Sequence, residues 1–149
     1  MKTLIDTNIL VYAHDSTSSY QKAAAQLLAR VLQGRLEAVV SVQNIAELYS
    51  VLTSSRRTGR PLQPRDARQI CKLYLAASEI PKLVPDGKAF DRGLELASEH
   101  KVTGGDFFDC LLAATMELAG VTRIYTENIT DFKRFRFLET IFPLKKSES

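Results

Sequence analysis

The stretch Lys2-Thr3-Leu4-Ile5-Asp6-Thr7-Asn8-Ile9-Leu10-Val11-Tyr12 begins β-prone, breaks at three polar residues and turns apolar again. That order predicts a strand, a polar turn and a short helix. Further extended pieces are expected at Ala38-Val39-Val40, at Lys82-Leu83-Val84 between Pro81 and Pro85, and at Arg123-Ile124-Tyr125-Thr126. Helical spacing separates them. A helix capped by Ser18 or Ser19 is expected to run to about residue 33 on Ala24, Leu27, Leu28, Val31 and Leu32, and one over 42–52 on Ile45, Leu48, Val51 and Leu52. Two more follow: 66–77 on Ile70, Leu73, Tyr74 and Ala77, and 89–100 on Phe90, Gly93, Leu94 and Ala97. The segment 106–119 is apolar almost all round, as buried helices are. Pro61 and Pro64 mark 54–64 as a loop, and 135–144 closes the chain without a clear assignment. Short strands apolar on both faces, alternating with helices, predict an α/β fold around a mostly parallel sheet. In such sheets a site lies beyond the carboxyl ends of the strands, where strand order reverses.

The 149 residues, 45% hydrophobic and 25% charged, fit one globular domain over 1–149, with a polar tail from about 143. A chain of this size buries about two thirds of its surface without staples. No apolar run reaches the roughly 18 residues of a membrane span, and the first residues hold no long apolar core of an export signal. Cys71 and Cys110 lack the spacing of a zinc or redox motif and suit a reducing compartment, so a cytoplasmic location is expected. Twenty Lys and Arg against 17 Asp and Glu give +3, which permits a nucleic acid partner without demanding one.

The residues that interrupt the apolar pattern carry the chemistry. Asp6 follows the first strand directly, where it serves either a site or a helix N-cap. Glu47, in Asn44-Ile45-Ala46-Glu47-Leu48-Tyr49, lies at the edge of a buried stripe, with a solvated helix position as the alternative. Asp106 and Asp109 stand three apart on one face of the apolar helix, the alternatives being a cap and an ion pair to arginine. Thr126-Glu127-Asn128-Ile129-Thr130-Asp131-Phe132 follows the last strand and again places polar groups at a carboxyl end. Carboxylates gathered about 4 Å apart repel by roughly 4 kcal/mol per pair at an effective dielectric near 20, so the cluster calls for a cation. Oxygen donors without nitrogen or thiol suit Mg²⁺, or Mn²⁺, rather than zinc.

Taken together, Leu4-Ile5-Asp6-Thr7-Asn8-Ile9-Leu10, Asn44-Ile45-Ala46-Glu47-Leu48, Asp109-Cys110-Leu111-Leu112-Ala113-Ala114-Thr115 and Tyr125-Thr126-Glu127-Asn128-Ile129-Thr130-Asp131-Phe132 resemble the PIN domain nucleases. Within that family the chain is similar to the VapC-type toxins of type II toxin–antitoxin pairs. The resemblance implies a three-layer α/β/α sandwich and a Mg²⁺-dependent endoribonuclease in which Asp6, Glu47 and Asp109 match the three core acids. The family often has a fourth acid after the last motif strand. Here Asn128 takes one alignment and Asp131 lies three residues on, leaving Asp106, Asn128 or Asp131 to complete a metal set of Asp6, Glu47, Asp106, Asp109 and Asp131. Asn8 and Thr126 match polar positions beside the acids. The family also implies an RNA substrate, a homodimer and a VapB-like antitoxin.

Arg56, Arg57 and Arg60 in the Pro-rich loop, and Lys133, Arg134 and Arg136 after the last motif, are candidate phosphate contacts. Two other readings use the same sequence: a housekeeping PIN nuclease that processes RNA, and a noncatalytic PIN-like module that binds RNA or protein. A haloacid-dehalogenase-type phosphotransferase is disfavoured because Asp6-Thr7-Asn8 lacks the second acid of Asp-x-Asp. A receiver-like phosphoacceptor is disfavoured because Ser41 and Val42, not an acid, follow Val39-Val40.

Overall fold

The computed structural model describes residues 1–147, so the last two positions of the expected tail lie outside the described residues. In chain order the elements are β1 (Thr3–Ile5), α1 (Thr7–His14), α2 (Gln21–Leu32), β2 (Ala38–Ser41), α3 (Val42–Leu52), α4 (Pro64–Ala76), β3 (Lys82–Leu83), α5 (Gly87–Glu99), a 3₁₀ turn (Gly104–Asp106), α6 (Phe107–Leu118), β4 (Arg123–Tyr125), α7 (Ile129–Phe132) and β5 (Glu139–Ile141). The strands form one sheet in the order β3-β2-β1-β4-β5, and every pairing is parallel. The order reverses between β1 and β4, which register Leu4 against Ile124 and Ile5 against Tyr125. The carboxyl ends of these two strands therefore frame the crevice expected of such a sheet.

Alternation along the strands builds the three layers. Ile5 and Val40 point into a core shared with Ile9, Leu10, Leu27, Leu48 and Tyr74, on the side of α1 to α4. Their neighbours Leu4 and Val39 point the other way, onto Leu96, Leu112, Met116 and Phe132 from α5, α6 and α7.

The differences from the sequence reading lie at helix edges and faces. Ser18 and Ser19 do not cap α2: the Ser18 hydroxyl accepts from Tyr20 N in a preceding turn, and the helix starts at Gln21 without a side-chain cap. Pro64 opens α4 as its first residue, where a missing N–H costs nothing, rather than ending a loop. Asp106 makes no cap bond and ends the 3₁₀ turn before α6. Residues 139–141 of the unassigned terminal segment form β5. Leu144, within the expected tail, is buried, and Ser147 N donates to Ser19 O at 2.8 Å.

Two predicted stripes are rotated. α4 buries Ala67, Cys71 and Tyr74 and leaves Leu73 68% exposed. α5 buries Ala89, Gly93 and Leu96 and leaves Phe90 and Leu94 exposed at 46% and 59%. For α5, close approach to α6 is the reason. A Cβ on Gly93 would stand 3.3 Å from Leu111 Cα and 3.5 Å from Leu111 N, both backbone atoms that cannot turn aside. Gly93→Val is expected to destabilise the protein by about 1–3 kcal/mol through overpacking, measured by urea unfolding. Because α6 begins two residues before Asp109, the same packing positions that acid.

Candidate active site

Asp6 follows β1 and caps α1, as one of its two sequence readings expected, while its side chain also lines the acidic cleft described below: its Oδ1 accepts from Thr7 N at 2.8 Å. The side chain is 5% exposed and receives three further donors. Asn44 Nδ2 reaches Oδ1 at 3.2 Å, while the Thr126 hydroxyl donates to Oδ2 at 2.7 Å and Asn8 Nδ2 approaches Oδ2 at 3.4 Å. Burial pushes the Asp6 carboxyl up to about 6, against the Thr126 and Thr7 hydrogen bonds, and the nearby Glu47 charge adds to the rise.

Glu47 comes from the middle of α3, which starts one residue after β2 ends. Its Oε2 accepts from the Thr7 hydroxyl at 3.0 Å and its Oε1 from Gln43 Nε2 at 3.1 Å. Gln43 Nε2 also donates to Phe108 O at 3.0 Å, which ties α3 to the first turn of α6. In that turn Asp109 is half-buried, and its carboxyl is pushed up to about 7. Desolvation is the main cause, followed by the charges of Asp6, Asp131 and Asp106, with the Arg134 guanidinium opposing.

Asp6, Glu47 and Asp109 line one cleft of about 310 Å³ with Thr7, Asn8, Tyr12, Asp15, Arg57 and Asn128. An adjoining cleft shares Glu47, Arg57, Asp109 and Asn128 and adds Asp106 and Asp131. Three elements distant in sequence thus deliver their acids to the crevice between β1 and β4. Asp131 is paired with Arg134 at 3.3 Å, and Arg134 Nε also donates to Asp131 O at 2.7 Å. Thr126 is buried and accepts from Asn8 Nδ2 at 3.3 Å and Asn128 N at 3.0 Å while donating to Asp6. It holds the site rather than merely filling a strand. Among the described residues, no three His, Cys, Asp or Glu side chains close up tightly enough to wrap an ion by themselves.

The arginine loop divides. All three are exposed, but Arg57 lines both clefts and Arg56 and Arg60 line neither. Lys133 is exposed as well, and Arg136 lines a separate hollow with Arg92, His100 and Phe137.

Sequence reasoning missed the holders. Thr7 and Asn44 fix the acids, Asp15 lines the cleft, and the Tyr12 hydroxyl lies 2.7 and 2.8 Å from the two carboxylate oxygens of Glu127. One signal was available: Asn44 is an amide within an apolar helical stripe, three residues before Glu47.

A sequence model described as the PIN domain matches residues 3–138. The chain belongs to the PIN domain family. Among similar proteins, Ribonuclease VapC24 of Mycobacterium tuberculosis is 29% identical over 140 residues, covering 94% of this chain and 95% of that protein. Ribonuclease VapC43 of the same organism is also 29% identical over 140 residues, covering 94% of each chain. Of solved structures, M. tuberculosis VapC20, described as a Sarcin-Ricin loop cleaving toxin, aligns with TM-score 0.69 at 16% identity, covering 89% of this chain and 95% of that one. VapBC2 of Rickettsia felis, bound to a DNA fragment from its promoter, gives 0.63 at 23%, covering 95% and 98%. A Klebsiella pneumoniae toxin–antitoxin complex gives 0.62 at 20%, covering 95% and 97%. The three-layer PIN architecture and the likeness to VapC proteins expected from the sequence are both found.

Proposed function

We propose that this PIN domain is a Mg²⁺-dependent endoribonuclease, the toxin of a toxin–antitoxin pair, which hydrolyses RNA phosphodiester bonds at the Asp6, Glu47 and Asp109 cleft. The observation that carries the reading is the convergence of these acids, from β1, α3 and α6, on one crevice at the β1/β4 reversal. The VapC ribonuclease names of the relatives support the chemistry, and toxin–antitoxin complexes among the structural neighbours support an antitoxin partner.

The residues fit a hydrated hard cation. All donors are oxygens, and Asp6 and Asp109 are both raised by burial and by neighbouring carboxylates, a cost that a bound cation relieves. Mg²⁺ keeps several of its waters and takes only one or two carboxylates, which suits an arrangement where no three acids close on one point. Gln43 Oε1, buried beside Glu47 without a donor among the described residues, is an acceptor for such a water. Asp6, Glu47 and Asp109 would hold the ion in part through its waters, and Asp106 is better suited than the Arg134-paired Asp131 to add charge toward a second. A bound ion of this kind lowers the pKa of its water and offsets phosphate charge. Arg57, which lines both clefts, would contact an RNA phosphate, while Thr7 and Thr126 keep Glu47 and Asp6 from turning.

A second copy of the chain and a cytoplasmic location belong to the same reading. Among the described residues no helix is long and apolar enough to cross a membrane.

The test is cleavage of a mixed pool of structured RNAs by purified, antitoxin-free protein in Mg²⁺, Mn²⁺ or EDTA. Cutting in either metal and none in EDTA is expected. Absence of cutting by folded protein in both metals would favour the noncatalytic reading. Arg57→Ala is expected to weaken RNA binding about equally for all sequences and to reduce the slope of log K against log salt by about 1, measured by fluorescence anisotropy.

A further inference from the structure

We infer that Asn44 restricts Asp6 to single-oxygen ligation and so makes the site discriminate Mg²⁺ and Mn²⁺ from Ca²⁺. The inference rests on the cation-dependent reading above and concerns a residue that reading leaves without a role.

Asn44 is fully buried, and its orientation is determined by its partners. Ser41 N donates to Asn44 Oδ1 at 2.9 Å, which turns the amino group toward the site. The amino group then donates to Asp6 Oδ1 at 3.2 Å and to the Thr7 hydroxyl oxygen at 3.1 Å. A carboxylate oxygen offers about two lone-pair positions. On Asp6 Oδ1 both are filled, by Thr7 N at 2.8 Å and by Asn44. On Oδ2 one is filled firmly by the Thr126 hydroxyl at 2.7 Å. The other meets only Asn8 Nδ2 at 3.4 Å, and that group is shared with Thr126 Oγ1 at 3.3 Å. Asn8 stays anchored through Glu127 N, which donates to its Oδ1 at 3.1 Å, and can keep Thr126 alone.

A cation therefore finds one open position on Asp6, at Oδ2. Ca²⁺ takes six to eight oxygens and gains from carboxylates that offer both, whereas Mg²⁺ forms an octahedron with one oxygen from each. Thr7 N is backbone and remains in any variant. Asn44 is thus the side chain whose removal opens Oδ1.

Displacement of bound Mn²⁺ by Ca²⁺, followed through the electron paramagnetic resonance signal of free Mn²⁺, tests this without any RNA. Wild type is expected to release Mn²⁺ only at high Ca²⁺. In Asn44→Ala the Ca²⁺ needed for half-release, normalised to Mn²⁺ affinity, is expected to fall about 10-fold, at the lower end of the effects of outer partners in metal sites. Asn44→Ser keeps a donor, is the milder change for folding, and is expected to stay closer to wild type than Asn44→Ala. Ser41→Ala removes the Oγ that accepts from Gln43 N at the start of α3 but leaves Asn44 on Asp6, so it should not alter the ratio. An unchanged ratio in folded Asn44→Ala, or an equal change in Ser41→Ala, overturns the inference while leaving the cation reading standing. Failure of wild type to bind Mn²⁺ at all overturns both.

Discussion

Asp109→Asn is expected to abolish metal-dependent RNA cleavage and, in the same protein, to raise the stability of the metal-free fold. The loss should exceed the roughly 10–100-fold seen when only an outer partner of a metal site is removed, because Asp109 faces the cleft itself. Single-turnover cleavage in Mg²⁺ measures it. The stability gain follows from the carboxyl's surroundings. Folded Asp109 titrates at about 7 and Asp6 at about 6, both above the ordinary 3.8. Between the ordinary and the folded values the folded chain holds more protons than the unfolded one. Its stability therefore falls as pH rises from about 4 to 7. In EDTA the melting temperature of wild type should decline across that window, and Asp109→Asn should decline less. A steeper decline in the variant would contradict the assignment of repulsion at this site.

Phe132→Ala carries the largest expected cost to the fold. Phe132 is fully buried and stacks obliquely on Phe135 at 6.1 Å, within the core on the α5 and α6 side of the sheet. Truncating such a ring costs about 3–5 kcal/mol, part transfer and part cavity. It sits at the end of α7, and its N–H donates to Asn128 O at 3.3 Å, so the same change loosens the segment that presents Asn128 and Asp131 to the clefts. Phe90→Ala is the matched control. Phe90 is exposed on α5, and its loss should stay within about 0.5 kcal/mol by urea unfolding.

The fold was legible because its signals are local. Leu4-Ile5 and Val39-Val40 are apolar on both faces only if helices cover both, and the helices between them carry their own spacing. The three acids were legible for a related reason: charge in an apolar setting needs compensation, and Asp109 in α6 stood out most. What stayed hidden depends on partners far away in the chain. The faces of α4 and α5 could not be chosen from spacing alone, because Leu73, Phe90 and Leu94 fit a helical stripe as well as the residues that are buried. Gly93 against the α6 backbone decided the second case. Thr7 and Asn44 look like turn and cap residues until the sheet brings Asn44 against both Asp6 and Thr7. Of the arginines, loop geometry alone selects Arg57 over Arg56 and Arg60 for the cleft.

The most direct measurement is an anomalous difference map, at the manganese edge, from crystals of the antitoxin-free protein soaked in Mn²⁺. The account predicts a peak in the crevice between β1 and β4, bounded by Asp6, Glu47 and Asp109, and absent from Asp6→Asn crystals. A fully occupied Mn²⁺ elsewhere, with that crevice empty at saturating metal, would contradict it.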